Sequence, residues 1–288
     1  MKKLVSLLLT GALTAGLLAG CSSSGSTTDT SAPESSAPVE ETTSLEGTTI
    51  SVGATPAPHA EILEVVKELL AEQGITLDIV EFDDYILPNQ AVEDGSLDAN
   101  YFQHITYMDN FNVEYGTHLV SAAEVHYEPF GIYAGKTASL DELADGAQIA
   151  VPNDTTNEGR ALLLLQEQGL ITLTEDCGLE PTKDDIAENP HNYEIVELEA
   201  RLLPTTLQDV DIAVINGNYA IDAGLKVSDA LAIESADGTA AQAYVNVLAV
   251  EEGREDDPAI QALAAALCSQ EVKDFIDETY EGAVVAVF

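Results

Sequence analysis

The 288-residue sequence has no tryptophan, two methionines, three cysteines and only 10 Lys and Arg set against 51 Asp and Glu. Each scarcity excludes something. A formal net charge of −41 repels a phosphate backbone, so no nucleic-acid partner is expected. No window beyond residue 20 approaches the ~18 uninterrupted apolar residues of a membrane span, so any hold on a membrane must lie at the N-terminus. Gly-x-Ser-x-Gly, His-Glu-x-x-His and phosphate-loop motifs are absent, and so is an Asp-rich calcium loop. Neither catalysis, a cofactor nor a metal is therefore expected. What the chain does have is apolar content: 45% hydrophobic residues, too many for a disordered acidic chain, on a length that can bury one large core or two smaller ones.

The N-terminus carries Lys2-Lys3, an apolar run from Leu4 to Ala19, and Leu18-Ala19-Gly20-Cys21 as a small-residue exit. This resembles a lipoprotein signal peptide over 1–20 with its lipobox, and it implies a Cys21 that becomes the new N-terminus and carries acyl chains. Two or more chains, at ~0.8 kcal/mol per buried CH2, hold a protein in a bilayer that one chain would leave readily. An extracytoplasmic, lipid-anchored place at the cell membrane is expected. Residues 22–46 are almost all Ser, Thr, Pro, Ala, Gly, Asp and Glu, so 21–47 reads as lipidated cysteine plus flexible tether. Loss of residues 1–20 removes two lysines, leaving a charge of 8 − 51 = −43. The acids are mostly scattered, as on solvated faces. Cys177 lies in a Thr-Glu-Asp-Cys-Gly loop and Cys268 in a helical pattern, which favours two separate thiols over a disulfide.

From Thr48 onward short apolar runs alternate with helix-length amphipathic stretches. Runs at 49–53, 76–80, 148–151 and 211–215 are followed by helical patterns at 62–70, 85–92, 160–168 and 219–223. Such alternation predicts an α/β fold of βαβ units with mainly parallel sheets. About 240 residues is large for one such sheet and natural for two lobes. Breaks near 125–129 and 234–244 give lobe 1 as 48–126 plus 236–288 and lobe 2 as 127–235. Two crossings between the lobes allow a hinged inter-lobe cleft suited to ligand capture.

Three segments carry chemical information. Asp98 to Tyr107 packs Tyr101, Phe102, His104 and Tyr107 among Asn100 and Gln103 at a strand end, a composition equally suited to a small pocket wall and to satisfied packing. Pro152 to Leu162 joins a strand end, a capping cluster and a helix start, where free backbone amides and the helix dipole favour a carboxylate. Arg160, one of three arginines, brings to it a guanidinium fork that can grip a carboxylate, though a helix arginine paired with an acidic neighbour is common. Finally, Asn216 and Asn246 follow or interrupt apolar runs, at the rim where α/β sheets bind ligands or as satisfied core amides.

Together with Pro58-His59-Ala60-Glu61, Asp84-Tyr85-Ile86-Leu87-Pro88-Asn89, Tyr127-Glu128-Pro129, Glu188-Asn189-Pro190, Glu197-Leu198-Glu199-Ala200, Val214 to Ala220 and Gly282-Ala283-Val284-Val285, these segments resemble the methionine-binding lipoproteins of bacterial ABC importers, the MetQ or NlpA type, from about residue 48 to the end. The family usually has Pro where this chain has Thr106. The resemblance implies a two-lobed periplasmic-binding-protein-like fold that delivers a free amino acid to a membrane permease and, through it, an ATPase. Tyr85, Phe102, His104 and Tyr107 would surround the thioether, Arg160 with Asn157 would hold the carboxylate, and Asn216 and Asn246 would bond the zwitterionic head. Burial of a methionine side chain would contribute ~2–3 kcal/mol and each sulfur–ring contact ~0.3–1.5 kcal/mol. Another small amino acid, a Met-containing dipeptide, or an adhesin role for the acidic tethered surface are the alternatives.

Overall fold

The computed structural model describes residues 44–235 and 242–288. The expected signal peptide, the lipidated Cys21 and the tether up to residue 43 lie outside the described residues.

In chain order the strands are β1 (Thr49–Ala54), β2 (Thr76–Glu81), β3 (Ala99–His104), β4 (Leu119–Tyr127), β5 (Gly131–Ala134), β6 (Gln148–Pro152), β7 (Thr172–Leu173), β8 (Ile186–Glu188), β9 (Glu194–Leu198), β10 (Ile212–Ile215), β11 (Ala230–Ile233), β12 (Val245–Glu251) and β13 (Val285–Ala286). The α-helices are α1 (Glu61–Ala71), α2 (Leu87–Glu93), α3 (Ile105–Tyr115), α4 (Thr155–Glu167), α5 (Leu203–Thr206), α6 (Gly217–Asp222), α7 (Pro258–Leu267) and α8 (Gln270–Tyr280). One sheet runs β13-β4-β12-β3-β1-β2, a second runs β11-β5-β10-β6-β9, and β7 pairs with β8 alone. All of β5 to β11 lies between the two passages of the chain from one large sheet to the other, at 128–130 and between Ile233 and Val245.

Mainly parallel sheets were expected, and the structure corrects this: both large sheets are mixed. β1 is parallel to β2 and β3, and β6 to β9 and β10, but β12 is antiparallel to β3 and β4, and β5 to β10 and β11. A strand that returns from the other sheet makes no βαβ crossover, so the rule that keeps such strands parallel does not bind it. The expected helix starts at 85, 160 and 219 also move, to 87, 155 and 217. Asp154 caps α4 by accepting from the Asn157 amide.

Each large sheet has its own apolar interior. α1 buries Ile62, Leu63, Val66 and Leu70, a stripe at helical spacing, against Ile50, Val52 and Leu77 of the sheet and Ile260, Leu263 and Ile276 of α7 and α8. Each such side chain contributes ~1.5–3 kcal/mol on burial. In the second sheet Ile149, Val151, Ile212 and Val214 pack on Ala161, Leu162 and Leu165 of α4. Cys177 and Cys268 are free thiols. No helix among the described residues is long and apolar enough to cross a membrane.

Candidate functional site

Fully buried β3 lies between β1 and β12 and delivers its last residues to the edge of the sheet facing α4 and α6. His104 ends it and caps α3: its Nδ1 accepts from the Tyr107 amide at 3.0 Å, which leaves the proton on Nε2. Nε2 then donates to Asn157 Oδ1 at 3.2 Å. The same oxygen accepts from Asn216 Nδ2 at 2.8 Å, while Asn157 Nδ2 donates to Asp154 at 2.9 Å. These bonds orient all three side chains in turn and leave Asn216 Oδ1 without a partner, although Asn216 is buried. Among the described residues two further buried side-chain atoms lack partners, Asn218 Nδ2 and the Tyr244 hydroxyl. All three belong to residues in or against one cavity.

That cavity is a narrow space between packed side chains, part of it continuous with solvent. All eight residues nominated from the sequence line it: Tyr85, Phe102, His104, Tyr107, Asn157, Arg160, Asn216 and Asn246. Tyr85 lies 5.6 Å from both Phe102 and Tyr107 by ring centroid, which makes an aromatic wall. The Tyr85 hydroxyl donates to Asn218 Oδ1 at 2.6 Å, and its ring stacks on Tyr219 at 4.9 Å, so first-sheet and second-sheet residues meet here. Burial holds the Tyr85 hydroxyl neutral, well above the usual phenol range. His104 is pushed down to about 3 by burial and by the nearby Arg160 charge, and stays a neutral imidazole.

The set nominated from the sequence left out Gln103, Glu128, Gly217 and Asn218, which complete the lining, and Glu234, which grips Arg160 from behind. Glu128 follows β4 and is buried; its Oε1 lies 2.8 Å from His126 Nε2 and 3.4 Å from His59 Nε2. His126 Nδ1 faces the Tyr101 hydroxyl at 2.5 Å, and His59 bonds Thr55 at 2.7 Å and Asn246 Oδ1 at 3.1 Å. Burial lowers His59 to about 4 and His126 to about 3, and raises the Glu128 carboxyl. The ligand-type atoms of His59, His126 and Glu128 lie within 4.8 Å of one another, a spacing that could hold a cation. Every imidazole nitrogen in the group already has a hydrogen-bond partner, so the cluster is complete as a network. Asn100, read above as part of a mixed aromatic and polar stretch, faces Asn89 at 2.8 Å and serves the interior of the sheet.

Residues 50–288 match the family model described as NlpA lipoprotein. The chain belongs to the NlpA lipoprotein family. A relative named D-methionine-binding lipoprotein MetQ, from Salmonella typhimurium, is 42% identical over 240 residues, 82% of this chain and 87% of that protein. A nutrient binding protein from Burkholderia cenocepacia, solved bound to methionine, is 44% identical at a TM-score of 0.79, covering 83% of this chain and all (100%) of that one. The periplasmic substrate-binding protein of an ABC transporter from Coxiella burnetii is 40% identical at a TM-score of 0.78, covering 83% of this chain and 100% of that one. The two-lobed α/β fold expected from the sequence is the fold this NlpA-family chain shares with them.

Proposed function

We propose that this chain is the substrate-binding lipoprotein of an ABC importer, capturing methionine between its two sheets and delivering it to a membrane permease served by an ATPase. The observation that carries the reading is the cavity itself. Three aromatic rings, a buried guanidinium and an amide with an orphaned oxygen line it together, the complement of a thioether, a carboxylate and an ammonium group. A zwitterion leaving water must have both charges met. Arg160 with Asn157 offers donors to the carboxylate; Asn216 Oδ1 is an acceptor for the ammonium, with Asn246 beside it. Tyr85, Phe102, His104 and Tyr107 close around the side chain. The names of the relatives support the same cargo and transport context.

In this reading the lobes are 48–126 plus 236–288 and 127–235, the sheets opening and closing about 128–130 and the segment after Ile233. Acyl chains on Cys21 hold the protein on the extracytoplasmic side of the cell membrane, and binding involves no catalysis or cofactor. Calorimetric titration of protein unfolded and refolded to remove carried ligand tests the reading, with L-methionine, D-methionine, a Met dipeptide and leucine as probes. Tight binding of a methionine form, abolished by Arg160→Ala in a folded sample, is expected. Silence toward all three methionine compounds refutes the cargo, and undiminished affinity in the variant refutes the site.

A further inference from the structure

The Arg160 guanidinium is already held before any ligand is considered. Its Nε lies 3.2 and 3.1 Å from the two Glu234 carboxylate oxygens, and its Nη2 lies 2.6 Å from Oε2. Nη2 also donates to the Glu128 carbonyl at 2.8 Å. Tyr244, Phe130 and Tyr127 surround the group at 4.3, 4.8 and 5.6 Å from their ring centroids. Side-on pairing therefore consumes the Nε edge, and Nη1 donates to no described residue. Arg160 lines the cavity, and with Nε and Nη2 committed, Nη1 is the donor nitrogen left over for a ligand.

Glu234 does more than neutralise a charge. Its Oε2 accepts from the Tyr127 hydroxyl at 2.5 Å, and its own amide donates to the Phe130 carbonyl at 2.8 Å. One carboxylate thus ties Arg160, on α4, to both places where the chain passes between the sheets. A free arginine side chain samples many rotamers, and a ligand that had to order it would bind more weakly for that cost. An uncompensated buried cation would in turn swing out to water or rearrange its pocket.

We propose that Glu234 is a positioning residue for carboxylate recognition: it fixes the Arg160 fork side-on to the two inter-sheet passages so that one donor edge is aimed at the ligand's carboxylate. The inference rests on the methionine-site reading above and deepens it. Glu234 touches no ligand in this scheme and acts through Arg160 alone.

Two probes separate this role from general support of the fold. Racemic methionine carries the carboxylate; racemic methioninol keeps the ammonium and thioether and lacks it. In the full-length protein, Glu234→Ala is expected to weaken methionine about 10–100-fold and to leave methioninol within about threefold, with Glu234→Gln, which keeps an acceptor oxygen, recovering part of the loss. Equal weakening of both probes, or unchanged methionine affinity in Glu234→Ala, overturns the proposal. NMR of protein labelled with 15N-arginine decides it if Ala proves unstable. Only Arg160, Arg201 and Arg254 contribute, and the slowly exchanging Nε–H resonance of Arg160 should be lost in Glu234→Gln or shift far toward the free-guanidinium position. An unshifted resonance overturns the proposal. A wild-type protein that ignores methionine refutes the site reading and this inference with it, whereas methionine binding that is indifferent to Glu234 refutes this inference alone.

Discussion

Acid should unfold this protein earlier and more steeply than its carboxylates alone would allow, because three imidazoles are buried neutral. His59 titrates at about 4, His104 at about 3 and His126 at about 3 in the folded chain, each pushed down chiefly by burial. In the unfolded chain each takes its proton near the usual ~6.5. The folded state binds fewer protons, so the stability these groups contribute is complete above pH ~6.5 and is lost as pH falls toward about 4 for His59 and about 3 for His104 and His126. At pH 5 each histidine has withdrawn ~2 kcal/mol, or ~6 kcal/mol for the three, comparable to the whole stability of many domains. Burial raises the Glu128, Asp154 and Glu158 carboxyls, and their proton uptake works in the opposite sense. A single substitution isolates one imidazole: urea unfolding of His126→Gln and wild type at pH 7 and 5 should show a pH dependence ~2 kcal/mol smaller in the variant. An identical dependence in the two proteins would refute a neutral buried His126.

Other perturbations test separate parts of the structure. Gly217→Ala would place a methyl 2.7 Å from Glu128 Cβ and 2.8 Å from its Oε2, so methionine affinity should fall at least about tenfold with ~1–3 kcal/mol of lost stability, measured by titration and melting. Leu63→Ala, in the first-sheet interior and fully buried, should cost ~2–5 kcal/mol in urea unfolding and leave affinity unchanged, since it lies away from the cavity. Glu158 titrates at about 7 because burial, helped by Glu197, opposes its charge. Its folded form keeps a proton the unfolded chain has lost, a cost that grows above pH ~4.5 and is complete above ~7, so Glu158→Gln should raise the melting temperature at pH 8 by about 2–4 °C and leave it unchanged near pH 4.

The strand at Thr49–Ala54 and the stripe of α1 were legible because alternation and helical spacing are local properties. Strand direction was not. β12 sits between β3 and β4 through pairs such as Val247 with Gln103, and nothing near either residue announces the partner. In the site, Phe102, His104 and Tyr107 stood out together because rings among amides are unusual in a core. Arg160 stood out because arginine is scarce. Glu234 could not stand out: one acid among 51, preceding Ser-Ala-Asp-Gly, has no local mark, and its importance arises only from the guanidinium it meets. Glu128 was visible as part of Tyr127-Glu128-Pro129, but its pairing with His59 joins two stretches of chain far apart in the sequence.

The central position of β12 also governs the order in which the protein can assemble. β3 and β4 never pair with each other; each waits for a strand made more than a hundred residues later. During synthesis the second sheet has all its strands once residue 233 has emerged, while the first keeps two unpaired edges until residue 251 is available. Closing so long a loop is entropically slow. A nascent chain of this design stays incompletely folded until almost its whole length exists, and any truncation ahead of residue 251 leaves open strand edges prone to aggregation.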